Sequence, residues 1–94
     1  MRKIEIICDR DHMRTLVDLF GKHGLAGYSV LDIAEGKGLK RGETLGISLS
    51  GTRSVLVVAA CSIEQADAIG PELGVFVRRH RGIAWVTPLI EVYK

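Results

Sequence analysis

The 94 residues make at most one compact domain, and a hydrophobic share of 47% is enough for it to fold around a core. A net charge of +2, from 13 basic and 11 acidic residues, is too balanced to point to nucleic acid, and no apolar run is long enough to cross a membrane. The opening "MRKIEII" enters a strand pattern directly, without the apolar stretch and cleavage site of a signal peptide, so a cytoplasmic protein is expected.

Residues 2–8, "RKIEIIC", alternate polar and apolar and predict a strand. Residues 11–24 predict a helix, because Met13, Leu16, Val17 and Phe20 form one apolar stripe. Asp11 is the expected cap, and Gly24 suits a left-handed turn at the other end. Residues 28–35 predict a second strand, with Tyr28, Val30 and Asp32 on one face and Leu31 and Ile33 on the other. Residues 36–52, rich in Gly, Ser and Thr, read as a loop with a short extended arm at 45–49.

Residues 53–61 form a nearly continuous apolar strand. Ser62 and Gln65 have the spacing of a capping box, and open a helix from Ile63 to about His80. Its inward residues are Ile63, Ala66, Ile69, Leu73, Phe76 and Val77, and Gly70–Pro71 predicts a kink or break. Residues 82–93 predict the last strand, and Pro88 inside it argues for a sheet edge. The order is βαββαβ, a double βαβ of the ferredoxin-like α+β class, with an antiparallel sheet ordered 4-1-3-2. In this reading the first and third strands are central and parallel to each other. Cys8 and Cys61 then fall at the same end of adjacent strands, where buried thiols or a redox pair are the alternatives. Both "SVLVVAA" and "IAWV" are apolar on two faces, while helices cover only one, so the bare face is expected to pack against other subunits.

The stretch "EGKGLKRGE", residues 35–43, sets three glycines among Lys37, Lys40 and Arg41. Glycines let a ligand approach the main chain, and successive N–H groups make a concave anion site. The spacing is that of neither a Walker nor a dinucleotide-binding motif, and a solvated linker is the alternative. A second basic cluster, Arg78, Arg79, His80 and Arg81 before Gly82, exceeds what a helix C-terminus requires. Set beside a neighbour's glycine loop, it completes an anion pocket.

"GLAGYSVLDIAEGKGLKRGE", residues 24–43, resembles the second strand and T-loop base of PII signal-transduction proteins. It is most similar to the divergent PII-like branch associated with carboxysomes and bicarbonate transporters. The resemblance implies one domain over 1–94, assembled as a homotrimer that binds an adenine nucleotide in each inter-subunit cleft. It places Ser29 near the adenine, Gly36, Lys37 and Gly38 at the phosphates, and Lys40 and Arg41 at the base of a T-loop spanning about 36–52. Arg78, Arg79, Arg81 and Gly82 take the place of the B-loop from the adjacent subunit. The T-loop implies docking on a target protein, a transporter or an enzyme.

Several departures narrow that expectation. "RRHRGIA" replaces the usual B-loop "TGxxGDGK", the basic C-terminal segment is missing, and the T-loop has no tyrosine to uridylylate. Lys40 and Arg41 stand where the best-known members place a glutamine for magnesium and 2-oxoglutarate. ADP or AMP is therefore expected over magnesium-ATP, and the resemblance to the carboxysome-associated branch implies bicarbonate as a further candidate ligand. No catalytic residue, metal or resident cofactor is expected, because the sequence offers no nucleophile–base pair and no carboxylate dyad. His12, His23 and His80 look scattered, the first two exposed on the first helix. Slow nucleotide hydrolysis and a ferredoxin-like RNA-binding module are the competing readings. For the latter, Tyr28, Trp85 and Tyr93 are the only sheet aromatics available, and Trp85 reads better as core or interface. Glu35 and Glu43 read as solvated loop carboxylates, Asp32 as a surface residue, and Ser48 and Ser50 as ordinary loop serines.

Overall fold

The computed structural model describes residues 1–34 and 54–94. In chain order they form β1 (Arg2–Asp9), a 3-10 turn (Arg10–His12), α1 (Met13–Lys22), β2 (Ser29–Asp32), β3 (Ser54–Cys61), α2 (Ile63–His80) and β4 (Ile83–Pro88). The sheet order is β2-β3-β1-β4, the ferredoxin-like arrangement expected. The extended arm expected at 45–49 lies outside the described residues.

One part of that expectation is wrong. β1 and β3 run antiparallel, with Arg2 opposite Cys61 and Asp9 opposite Ser54. The reason is topological: each βαβ crossover makes β1 parallel to β2 and β3 parallel to β4, with a strand inserted between the members of each pair. The two cysteines therefore lie at opposite ends of the central pair. Cys8 faces Val55, six rungs from the Cys61–Arg2 pair, a separation of roughly 20 Å at ~3.4 Å per residue. No disulfide can span that distance, and both are buried free thiols.

The core lies between one sheet face and the two helices. Ile4, Ile6 and Cys8 of β1 and Val55, Val57, Ala59 and Cys61 of β3 meet Leu16 and Phe20 of α1 and Ala66, Ile69, Leu73 and Phe76 of α2. Ile63, expected inward, is exposed because it starts the helix beyond the edge of this layer. Val77 packs on the rim of the core. Asp9, rather than Asp11, caps the first turn, its carboxylate accepting from the Asp11 N–H at 2.8 Å. Gly24 takes the left-handed conformation, φ 75°.

The capping box of α2 is complete. Ser62 Oγ accepts from the Gln65 N–H at 3.0 Å, and Gln65 Oε1 accepts from the Ser62 N–H at 2.9 Å. The same Gln65 amide donates to the Gly24 carbonyl at 3.0 Å, which ties the end of α1 to the start of α2. Pro71 does not break α2. Proline leaves the Asp67 carbonyl without its donor, but both residues lie on the exposed side, where that carbonyl is open to solvent.

β4 is shorter than the expected 82–93. Among the described residues its neighbour is β1, which starts at Arg2 opposite Pro88, and no described strand continues the ladder beyond that point. Pro88 ends an edge strand, where a missing N–H costs no ladder bond. No described element covers the far sheet face, which Leu31, Leu56, Val58, Ile7, Ile83 and Trp85 share by register. On it the Trp85 indole N–H donates to Glu5 at 2.9 Å, and Lys3 lies 3.5 Å from the same carboxylate oxygen.

Candidate ligand-binding site

Strand direction brings the end of β2, the start of β3 and the Arg78–Gly82 segment to one end of the subunit. Asp9 at the end of β1 faces Ser54 at the start of β3, and Asp32 at the end of β2 faces Val55. The chain thus leaves the sheet near residue 34 and returns at residue 54 at this end. β4 starts there too, with Ile83 opposite Ile7, so the Arg78–Gly82 segment reaches the same end. The end of β2 and the Arg78–Gly82 segment serve opposite edges, however. β2 and β4 are three strand spacings apart, roughly 14 Å at ~4.8 Å each. Gly36, Lys37, Gly38, Lys40 and Arg41 lie outside the described residues, as do Glu35 and Glu43.

The Arg78–Gly82 segment is shaped by its backbone. Arg81 closes α2 in the left-handed conformation, φ 58°, with its N–H donated to the Val77 carbonyl. The Gly82 N–H donates to the same oxygen at 3.0 Å. A Cβ on Gly82 would sit 2.7 Å from the Ile7 carbonyl oxygen, so glycine is required for β4 to start against β1.

The arginines diverge. The Arg78 guanidinium folds back over Gly74, 3.2 Å from where a Cβ there would stand. Arg79 lines a groove of about 480 Å³ between the helices, with Thr15, Asp18, Leu19, Val75 and Phe76 among its walls. Arg81 is exposed. None of the three makes a hydrogen bond or ion pair among the described residues, so all three are available to an anion. Ser29 is exposed on β2, and its pairing with Val58 sets it on the bare sheet face, on the other side of the sheet from the Arg79 groove. Within one subunit, then, Ser29 and Arg79 do not converge.

The histidines are neither scattered nor simply exposed. His12 belongs to the 3-10 turn and stacks on His80, with ring centroids 4.0 Å apart. His23 is half-buried and pairs with Glu72, whose other oxygen takes the Lys22 ammonium at 2.7 Å. Hydrogen bonds from Lys22 first, and then His23, hold the Glu72 carboxyl below its ordinary value. Asp32 is exposed yet ion-paired to Arg10, which ties the turn after β1 to the end of β2. Sequence periodicity sees one element at a time, so none of these cross-element pairs was legible in it.

Burial, with Asp9 adding to it, pushes the Cys8 thiol up to about 11, and burial also raises Cys61. Neither is a thiolate at neutral pH. Among the described residues no three His, Cys, Asp or Glu side chains group as metal ligands.

The family model for nitrogen regulatory protein P-II matches residues 1–94. The chain belongs to the P-II family. No curated protein matches it, but solved structures do. CPII from Thiomonas intermedia K12 bound to ADP and bicarbonate is 27% identical, with a TM-score of 0.74 over 92% of this chain and 82% of that one. CPII bound to ADP, AMP and bicarbonate, described as a nitrogen regulatory PII-like protein, is 24% identical, with a TM-score of 0.72 over 94% and 88%. A PII-like signalling protein of Thermus thermophilus is 20% identical, with a TM-score of 0.69 over 92% and 83%. The P-II fold is thus shared across the subunit, and P-II proteins are regulators rather than catalysts.

Proposed function

We propose that this P-II protein is a trimeric sensor of adenine nucleotide, with ADP or AMP favoured and bicarbonate as a second ligand. CPII bound to ADP and bicarbonate is the observation that carries the reading. Two features of this chain support it. An apolar sheet face without helices, bearing Leu31 at 50% exposure, favours burial against other copies. The end of β2, after which the glycine-and-lysine stretch follows in sequence, and the arginine segment lie at opposite edges of one end of the sheet. Packing of neighbouring copies sets one subunit's turn against another subunit's arginines.

In this assembly Ser29 lies near the adenine, and Gly36, Lys37 and Gly38 contribute N–H groups to the phosphates. Lys40, Arg41, Arg78, Arg79 and Arg81 supply positive charge around them, and Gly82 shapes the turn. Nucleotide occupancy selects between conformations of the T-loop, residues 36–52, and one of these engages a target protein in inorganic-carbon metabolism. The ligand must bind the two loop states with different affinity, or nothing is switched.

Light scattering with calorimetric titration tests this. The expected result is a trimer that releases heat with ADP or AMP, and that binds differently when bicarbonate is present. Single chains with no heat from any adenylate would end the proposal. In the Arg41→Ala variant, nucleotide affinity should fall about tenfold or more, as loss of a charge-assisted hydrogen bond of ~1.5–3 kcal/mol implies. Unchanged affinity removes Arg41 from the site.

A further inference from the structure

The His12–His80 stack lies at the same end of the subunit as the basic segment, and the nucleotide reading makes no use of it. His12 ends the 3-10 turn that follows β1, and His80 is the last residue of α2. Their ring centroids are 4.0 Å apart, with planes inclined by 27°. His80 also lies against the Phe76 ring, at 4.9 Å and 58°. The residues after His80 are Arg81 and Gly82, and Gly82 rests on the Ile7 carbonyl. The stack therefore joins the end of α2 to the turn after β1, on the two elements that fix the arginine segment.

Two neutral imidazoles stack as aromatic rings do, whereas two imidazolium ions at that spacing repel. The charged groups around His80 sharpen this. Arg79 neighbours it on α2, and His12 faces it from the 3-10 turn, flanked there by Arg10 and Asp11. Across the groove that His80 lines, α1 presents Asp18 and Lys22, and α2 adds Glu72, which is engaged by Lys22 and His23. Burial first, then His12 and Arg79, hold His80 below the ordinary histidine value of 6.5. A group depressed in the folded state stabilises that state above its unfolded value, and the contribution is lost as pH falls. The stack is thus closed at neutral pH and loosens as pH falls through the lowered value of His80.

We propose that the His12–His80 stack is a proton-operated latch: closed, it fixes the Arg78–Gly82 segment, and acidification opens it and weakens binding of an anionic nucleotide. The latch stands on the ring geometry, and its effect on affinity rests on the nucleotide reading above. Two measurements keep these apart. The first is an NMR titration of the histidine ring protons and the Arg81 and Gly82 amides without nucleotide. In the natural protein the amide shifts should follow the protonation of His80.

In His12→Phe the stack survives, but a protonated His80 then meets an aromatic face instead of a cation. Its titration should move upward and the two amides should stay put. In His80→Phe the amides should not respond at all. Amides that ignore His80 protonation, or behave alike in all three proteins, would overturn the latch. The second measurement is ADP titration between about pH 7.5 and pH 5.5, the range over which histidine changes charge. Affinity should fall severalfold further in the natural protein than in His12→Phe, where only the ADP phosphate's own protonation, with a pKa of about 6, still acts. An equal fall in both overturns the coupling. Absence of ADP binding at either pH removes the nucleotide reading, while the amide titration still decides the latch.

Discussion

Replacing Phe20 by Ala should lower stability by about 3–5 kcal/mol, a large part of the ~5–15 kcal/mol that holds a domain together. Phe20 is 1% exposed, at the centre of the layer where α1 meets the sheet. Its ring also lies 5.9 Å from that of Tyr28, centroid to centroid, immediately before β2. The truncation therefore leaves a cavity and removes the prop under the strand that carries Ser29. Chemical denaturation should show a midpoint displaced far downward with little change in slope. A loss below about 1 kcal/mol would mean that the site collapses around the smaller side chain.

Gly82→Val is the second large effect, and it joins stability to binding. The obstacle to a side chain is a backbone carbonyl, that of Ile7, 2.7 Å from the first added carbon. A backbone oxygen within a β-ladder cannot swing aside as a lysine tip does, so the start of β4 has to move. The expected cost is ~1–3 kcal/mol or more, seen as a lowered thermal midpoint. Nucleotide affinity should fall with it, because Arg81 rides on the same turn. Retained stability together with retained affinity would show that β1 and β4 separate freely here. This glycine is demanded by strand contact whether or not a ligand is bound.

Periodicity made most of the fold legible. The stripe of Leu16 and Phe20, the Ser62–Gln65 box and the doubly apolar β3 each depend on neighbours in sequence, and each is formed. The errors arose where relations cross the chain. The parallel assignment of β1 and β3 set Cys8 beside Cys61, and the true direction separates them by the length of the strand. Ile63 and the last third of the expected β4 follow the apolar pattern but have no described strand or core residue opposite them.

For the site, sequence supplied the residue types but not their directions. Arg78, Arg79 and Arg81 are consecutive or nearly so, yet a helix turns ~100° per residue, and they point over Gly74, into the helical groove and to solvent. The His12–His80 contact joins residues 68 positions apart by number, which no local pattern records.

The far pole of the subunit offers a practical handle. There the Leu89 N–H donates to the Met1 carbonyl at 3.0 Å, and the Ser62 and Gly24 turns close the same side. An affinity tag at residue 1 would tether the molecule by that pole and leave the arginine-bearing pole facing solution. Surface-immobilised binding assays on the natural sequence should therefore report the same affinities as measurements in free solution.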